Sequence, residues 1–234
     1  MIFAITAVVT LVLIGGTYIF ARSQGRFDVI DTVWGLGFVV IALVSARSVL
    51  PTLLTCVWGL RLAVHIEVRR RGSGEDRRYA DINPVRAYAT QAIALWVISL
   101  PVQVAGFGSP PLWLVCAGVV VWLVGFVFEA VGDYQLQRFR GDPANQGKVL
   151  DTGLWRYTRH PNYFGDACVW WGLYLLACHS WLAAATIVSP IVVTVLLAKG
   201  TGKPLLEKNL VRNRPDYAAY VSRTSGFVPL PPKR

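Results

Sequence analysis

Residues 153–166, GLWRYTRHPNYFGD, place Trp155, Arg156, Tyr157, Arg159, His160, Asn162 and Tyr163 in one short stretch. Pro161 cannot donate a backbone hydrogen bond and biases His160 toward extended geometry. Asn162 then reads as a cap for the helix that follows. Arg159, Asn162 and Tyr163 are thereby set at a helix N-terminus, where free N–H groups and the dipole favour an anion. Guanidinium forks match phosphate oxygens, and Trp155 offers an aromatic plane for a base or ring. The chemistry these residues suit is capture of a nucleotide-like anion. The same residue types also suit an aromatic and basic belt at a membrane surface, and spacing alone leaves both readings open.

A second set of polar residues interrupts apolar runs: Asp31, Arg61, His65, Glu67, Glu129, Asp133 and Asp166. An ionisable group in lipid costs a few kcal/mol or more, so such residues usually face a partner or a cavity. Arg61 and His65 are four apart and share one helix face, as do Glu129 and Asp133. Most of the set falls near one end of its runs and is suited to a single polar cavity. The bland alternatives are interfacial groups reaching for water and an Arg61–Asp31 pair that only fixes packing.

The elements that must hold these residues are membrane-spanning helices. A hydrocarbon core takes about 20 apolar residues as a helix, since the backbone must be satisfied internally. The pattern predicts an all-α, multi-pass bundle of about seven spans at 2–21, 29–47, 51–67, 88–107, 112–132, 164–179 and 181–198. Pro51 is expected to open the third span, and Pro110-Pro111 to turn the chain between the fourth and fifth. With this topology all of the 23 Lys and Arg residues except Arg47 and Arg61 fall on one side, which by the bias of basic residues is the cytoplasm. The N-terminus is then outside and the C-terminus cytoplasmic. Residues 2–20 are apolar and precede the first cation, Arg22, as in a retained span rather than a cleaved signal. The whole of 1–234 reads as a single membrane domain, with 1–60 as scaffold and the chemistry after Arg61. A polar loop at 133–163 exceeds ordinary loop length, which marks it as functional. A basic tail follows at 199–234, with a short amphipathic helix expected from Pro204 to about Asn213.

Composition agrees. The chain is 54% hydrophobic and 15% charged with mean hydropathy +0.48, too apolar for a soluble domain of this size. Its net charge of +10 is cut into blocks by apolar runs, which favours anionic lipid or an anionic ligand over nucleic acid. Cys56, Cys116, Cys168 and Cys178 lie in apolar stretches without CxxC spacing, so neither a disulfide nor a metal site is expected.

Three stretches together carry a family resemblance: DYQLQRFRGDPANQGKVLDTGLWRYTRHPNYFGD at 133–166, RLAVHIEVRRRGSGEDRRYADI at 61–82 and KPLLEKNLVRNRPDYAAYVSRT at 203–224. The chain resembles the steroid 5-alpha-reductase C-terminal-like superfamily of membrane proteins, and within it a bacterial branch defined as a domain of unknown function. The resemblance covers roughly residues 28–232. It extends to sterol reductases, which use NADPH, and to isoprenylcysteine carboxyl methyltransferases, which use S-adenosylmethionine.

By that resemblance, Arg140 in QRFRGDP is expected at the cofactor phosphates, with Arg138 and Arg159 beside it. Leu150 and Trp155 are expected to pack on the cofactor, and Asn162 and Tyr163 to meet the nicotinamide. His160 and Asp166 belong to the same motif. Lys203 and Glu207 fall where the adenosine end binds, and Tyr217 closes the pocket from the tail. Leu136 stands where sterol reductases carry a lysine. The proton donors to consider are Tyr163, His65, Glu67 and Asp31. The Glu–Tyr acid pair of steroid reductases is not found, since no Glu precedes residue 67. The expected activity is NADPH-dependent reduction of a C=C bond in a lipid-soluble steroid-, isoprenoid- or fatty-type substrate. An S-adenosylmethionine-dependent methyltransferase is the alternative, and a non-catalytic lipid-binding protein the second. The expected location is the inner membrane of a bacterium, with the cofactor site toward the cytoplasm.

Overall fold

The computed structural model describes residues 1–71, 74, 79, 82–200, 207, 214 and 216–233. It is helical, with no strand among the described residues. In chain order the helices are α1 Ile2–Gln24, α2 Val29–Val44, α3 Val49–Arg71, α4 Pro84–Ile98, α5 Leu100–Val104, α6 Leu112–Gly141, α7 Pro161–Ala177, α8 Trp181–Ala184, α9 Val188–Ala198 and α10 Tyr217–Arg223. A 3-10 turn, Ala185–Ile187, joins α8 to α9. Among the described residues four segments are long and apolar enough to cross a bilayer: α1, α3, α6 and the continuous run Trp181–Ala198. The chain is therefore an integral membrane protein.

Several expected boundaries move, each for a local reason. The third span begins at Val49, so Pro51 lies inside its first turn, where its missing N–H breaks no helical bond. The expected 88–107 span starts earlier and is broken: Asn83 caps it by accepting from the Arg86 N–H, Pro84 takes the first position, and α4 ends at Ile98 before Pro101. The fifth expected span, α6, continues to Gly141, so residues 133–141 of the expected loop are helical. At about 1.5 Å per residue its 30 residues reach about 45 Å. That exceeds the ~30 Å hydrocarbon core and lets its charged last turns stand in water. The helix expected from Pro204 lies outside the described residues apart from Glu207.

The chain divides into two compact units, Met1–Val115 with Leu173–Ser189, and Cys116–Gly172 with Pro190–Arg234. In the first, α1 turns Ile2, Thr6, Thr10, Ile14, Thr17 and Ala21 inward and leaves Val8, Leu11, Val12, Ile19 and Phe20 exposed. Polar hydroxyls inside and large apolar groups outside suit a helix solvated by lipid. Thr10 and Thr17 satisfy their hydroxyls on carbonyls four residues back, at 2.8 and 2.7 Å. Thr6 donates to Gln103 Oε1 at 2.7 Å. Helices α2 and α3 touch backbone to backbone: a Cβ on Gly59 would sit 2.7 Å from the Gly35 carbonyl oxygen.

In the second unit α6 and α7 meet along a glycine seam. Gly118, Gly125 and Gly132 recur every seven residues on α6, and Gly165 and Gly172 do so on α7. A Cβ on Gly125 would lie 2.6 Å from the Gly165 carbonyl oxygen, and one on Gly172 2.7 Å from that of Gly118. A seven-residue repeat of small residues brings two membrane helices close over several turns. This seam fixes the register at which the start of α7 meets the end of α6.

Candidate functional site

That register brings the 153–166 motif against the polar end of α6. Glu129 and Asp133 share the buried face of the helix. Asn162 Nδ2 donates to Asp133 Oδ1 at 3.1 Å, and Asn162 Oδ1 accepts from the Tyr163 N–H at 3.1 Å. Asn162 is thus not the cap of α7. His160 holds that place, its carbonyl accepting the Phe164 N–H at 3.0 Å, because Pro161 takes the first helical position. Asn162 instead ties the two helices together and sets the orientation of its own amide.

Arg159 and His160 share one carboxylate. Arg159 Nε donates to Glu207 Oε1 at 2.7 Å and Nη2 to Oε2 at 3.3 Å. His160 Nε2 approaches Oε1 at 3.0 Å. Nη1 of Arg159 donates to the carbonyls of Val221, at 3.1 Å, and Thr224. Burial would raise the Glu207 pKa, but the His160 and Arg159 hydrogen bonds and charges outweigh it and hold the group at about 2. An ionised carboxylate cannot donate, so a hydrogen bond across this contact requires the proton on His160 Nε2. The imidazole lies parallel to the Tyr163 ring, centroids 5.1 Å apart and planes 6° apart. Tyr217 is buried beside this pair; burial and then the Glu207 charge push its phenol up to about 12.

Trp155 is buried on a 3-10 turn, Gly153–Arg156. Its Nε1 donates to the Gly132 carbonyl at 3.1 Å, and its own carbonyl accepts from Tyr220 Oη. Gly153 has φ +60, a left-handed conformation natural to glycine. Gln135 Oε1 accepts the next N–H, that of Leu154, at 3.0 Å. The end of the chain straps this segment. The Arg159 N–H donates to the Ser225 carbonyl at 2.9 Å and the Leu230 N–H to that of Tyr157 at 3.0 Å. Thr158 Oγ1 donates to the Phe227 carbonyl at 2.8 Å.

Arg138 and Arg140 are exposed in the last turn of α6. Arg140 lines a cleft of about 370 Å³ together with Asp142, Asn145, Gln146 and Arg214. Leu150 is half-buried on the way back from this loop, and Asp166 is half-buried one turn into α7. Lys203 lies outside the described residues. Among the described residues no cluster of His, Cys, Asp and Glu could hold a metal ion.

The other expected acids lie in the first unit. Glu67 accepts from Arg70 Nε and Arg71 Nε, both at 2.8 Å, and from Thr32 Oγ1 at 3.1 Å. It is the acceptor of an arginine network that also holds Asp28, which Arg26 meets at 2.8 Å. Asp31 has a different setting: Tyr79 Oη donates to its Oδ1 at 2.6 Å, and Gln91 Nε2 donates to Tyr79 Oη at 3.2 Å. His65 and Arg61 are half-buried on α3. The structure therefore contains a carboxylate–tyrosine pair, Asp31 with Tyr79, that the sequence does not disclose because 48 residues separate the two. Arg214, Tyr220 and Gln135 are likewise brought in by the fold, whereas Asp133 already stood in the polar set read from the sequence. Of the first three only Tyr220 had a local signal, three residues after Tyr217.

A family model described as protein of unknown function (DUF1295) matches residues 17–224. No curated protein and no solved structure matches the chain.

Proposed function

Since the chain belongs to that family of unknown function, we propose its activity from its site: NADPH-dependent reduction of a C=C bond in a lipid-soluble substrate. In this reading the seven apolar segments all cross the inner membrane of a bacterium, with the N-terminus outside. Arg140, Asn162 and the tail then lie on the cytoplasmic side. The observation that carries the reading is the Asn162 amide, held by Asp133 beside the His160–Tyr163 stack at the start of α7. An oriented amide next to an aromatic plane is what a carboxamide-bearing ring requires, and the resemblance of the RHPNY motif to the reductases points the same way.

The residues present fit such a cofactor. The Arg140–Arg214 cleft lies within the range of small-molecule sites, about 300–1,000 Å³, and offers guanidinium forks to phosphate oxygens. Arg159 commits its donors to Glu207 and two carbonyls, so phosphate contact is assigned to Arg138, Arg140 and Arg214, of which Arg214 also donates to the Lys148 carbonyl. Arg159 instead positions His160 and the tail. Trp155 and Leu150 supply apolar contact. When bound, NADPH supplies the hydride, and the protein supplies orientation and charge. Reduction of a polarised double bond would also require a proton at its second carbon, so the protein would need to supply a general acid. Tyr163 lies in the same unit as the cofactor residues and has the chemistry for that proton; Asp31, which pairs with Tyr79 in the first unit, stays a candidate by residue type alone. His65 remains a candidate, whereas Glu67 is an acceptor between two arginines and suits the role least.

The test is binding of NADPH and S-adenosylmethionine, measured side by side on the detergent-purified protein and its Arg140→Ala variant. Saturable NADPH binding that competes with NADP+ and weakens in the variant supports the reductase. Binding of S-adenosylmethionine alone moves the protein to the methyltransferases. Binding of neither favours a non-catalytic lipid-binding protein.

A further inference from the structure

At the end of α3 opposite its Arg69–Arg71 turn, the first unit carries a second cleft of about 350 Å³, lined by Arg47, Ser48, Ser109, Leu50, Pro51 and Leu176 among others. Helix α3 has 23 residues, about 34 Å at 1.5 Å each, which spans a hydrocarbon core of about 30 Å. The two ends of α3 therefore sit at opposite membrane surfaces. Arg47 is the only Lys, Arg, Asp or Glu in residues 32–60, and residues 87–128 and 167–198 have none. Among the described residues the cation thus meets no carboxylate at its own end of the unit. Its guanidinium carbon lies 4.4 Å above the centre of the Phe107 ring. Stacking of this kind holds the planar group by its face and leaves its N–H edge for a ligand.

We propose that this cleft binds the headgroup phosphate of a membrane phospholipid, with Arg47 as its ligand. Phosphate chemistry follows from the charge: a stacked guanidinium presents a fork that two phosphate oxygens match, and the Ser48 and Ser109 hydroxyls line the same space. The lipid follows from the setting. The cleft opens at a membrane surface, and Leu50, Pro51 and Leu176 give it apolar lining suited to the glycerol and the first acyl carbons. The site is on the first unit alone and does not depend on the reductase reading.

Native mass spectrometry of the detergent-purified full chain, titrated with phosphatidylglycerol, reads the site directly. The wild type is expected to take up one lipid saturably. Arg47→Gln should weaken that uptake at least ten-fold, while Arg22→Gln, at the other membrane surface, leaves it unchanged. Ser109→Trp, which fills the cleft and keeps the charge, should weaken it as well. Equal uptake by the wild type and both cleft variants overturns the site. Displacement of the lipid by inorganic phosphate at equal concentration overturns its assignment to a lipid. A photoactivatable phosphatidylglycerol should label residues 47–51 or 106–115, and labelling confined to the Arg69–Arg71 end overturns it too.

Discussion

Glu207 grips Arg159 with both carboxylate oxygens, at 2.7 and 3.3 Å, across 48 residues of chain. The contact makes the tail part of the site. Removing one partner of a buried pair strands the other charge, which costs about 3–5 kcal/mol when burial is complete. Both side chains here are mostly rather than fully buried, so Glu207→Gln is expected to cost about 2–3 kcal/mol, read as a lower melting temperature in detergent. The pH profile gives the sign. The folded-state pKa is lowered from 4.5 to about 2, so the stabilisation is complete above about 4.5 and is lost as pH falls toward 2. Wild type should lose stability across that window. Glu207→Gln should show a flatter profile there, and an unchanged profile would remove the pair from the ledger of stabilising contacts.

The Asn162–Asp133 hydrogen bond can be reversed. Asn162→Asp puts two carboxylates at hydrogen-bond distance and should reduce NADPH affinity by more than Asn162→Ala does. The swap Asn162→Asp with Asp133→Asn restores one donor and one acceptor. It should recover helix packing, measured as melting temperature, to within about 1 kcal/mol of wild type. NADPH affinity should not recover, because the amide then sits on α6. Recovery of both would mean that Asn162 acts only through packing.

Truncation after Thr224 removes the Ser225 and Phe227 carbonyls and the Leu230 N–H that hold residues 157–159. Membrane insertion rests on other helices and should persist. Limited proteolysis should then cut within 153–160, where the full chain resists, and cofactor binding should fall at least ten-fold.

How much of this was legible in the sequence depended on distance along the chain. The apolar runs and the Pro110-Pro111 turn are local signals, and the helices follow them. Helix α6 overran its expected end because Gln135, Leu136, Gln137, Arg138 and Arg140 are good helix formers, and hydropathy reports the bilayer rather than the helix. The motif at 153–166 announced Arg159, His160 and Asn162 by type. Their partners Glu207 and Asp133 were also visible as isolated acids, but which acid meets which base is set by the Gly125–Gly165 seam. The Asp31–Tyr79 pair needed the fold, since a Tyr beside a run of arginines carries no mark of its role.

The seam itself gives a test that touches no polar group. Gly165→Leu drives a side chain into the α6 backbone, where even a Cβ finds the Gly125 carbonyl at 2.5 Å. Overpacking of this kind costs about 1–3 kcal/mol or more. Because the seam sets the register between Asp133 and Asn162, NADPH affinity should fall along with stability. A surface-facing control, Val127→Leu, lies on the exposed side of the same helix and should change neither. If Gly165→Leu lowers the melting temperature but leaves affinity intact, the register does not position the site.

The proton donor is the last role to separate. Tyr79→Phe removes the hydroxyl that donates to Asp31 at 2.6 Å and keeps the ring. If this pair delivers the proton, turnover of a lipid enone should fall about 10²–10⁴-fold, the usual contribution of a positioned acid, with NADPH affinity unchanged. Asp31→Asn should match it, and the double variant should be no worse than either single one, as for residues acting as a unit. Tyr163→Phe is expected to act differently, since Tyr163 stacks on His160 in the second unit. A loss of turnover confined to Tyr163→Phe assigns the proton to α7. A loss confined to the pair assigns it to Asp31 and Tyr79.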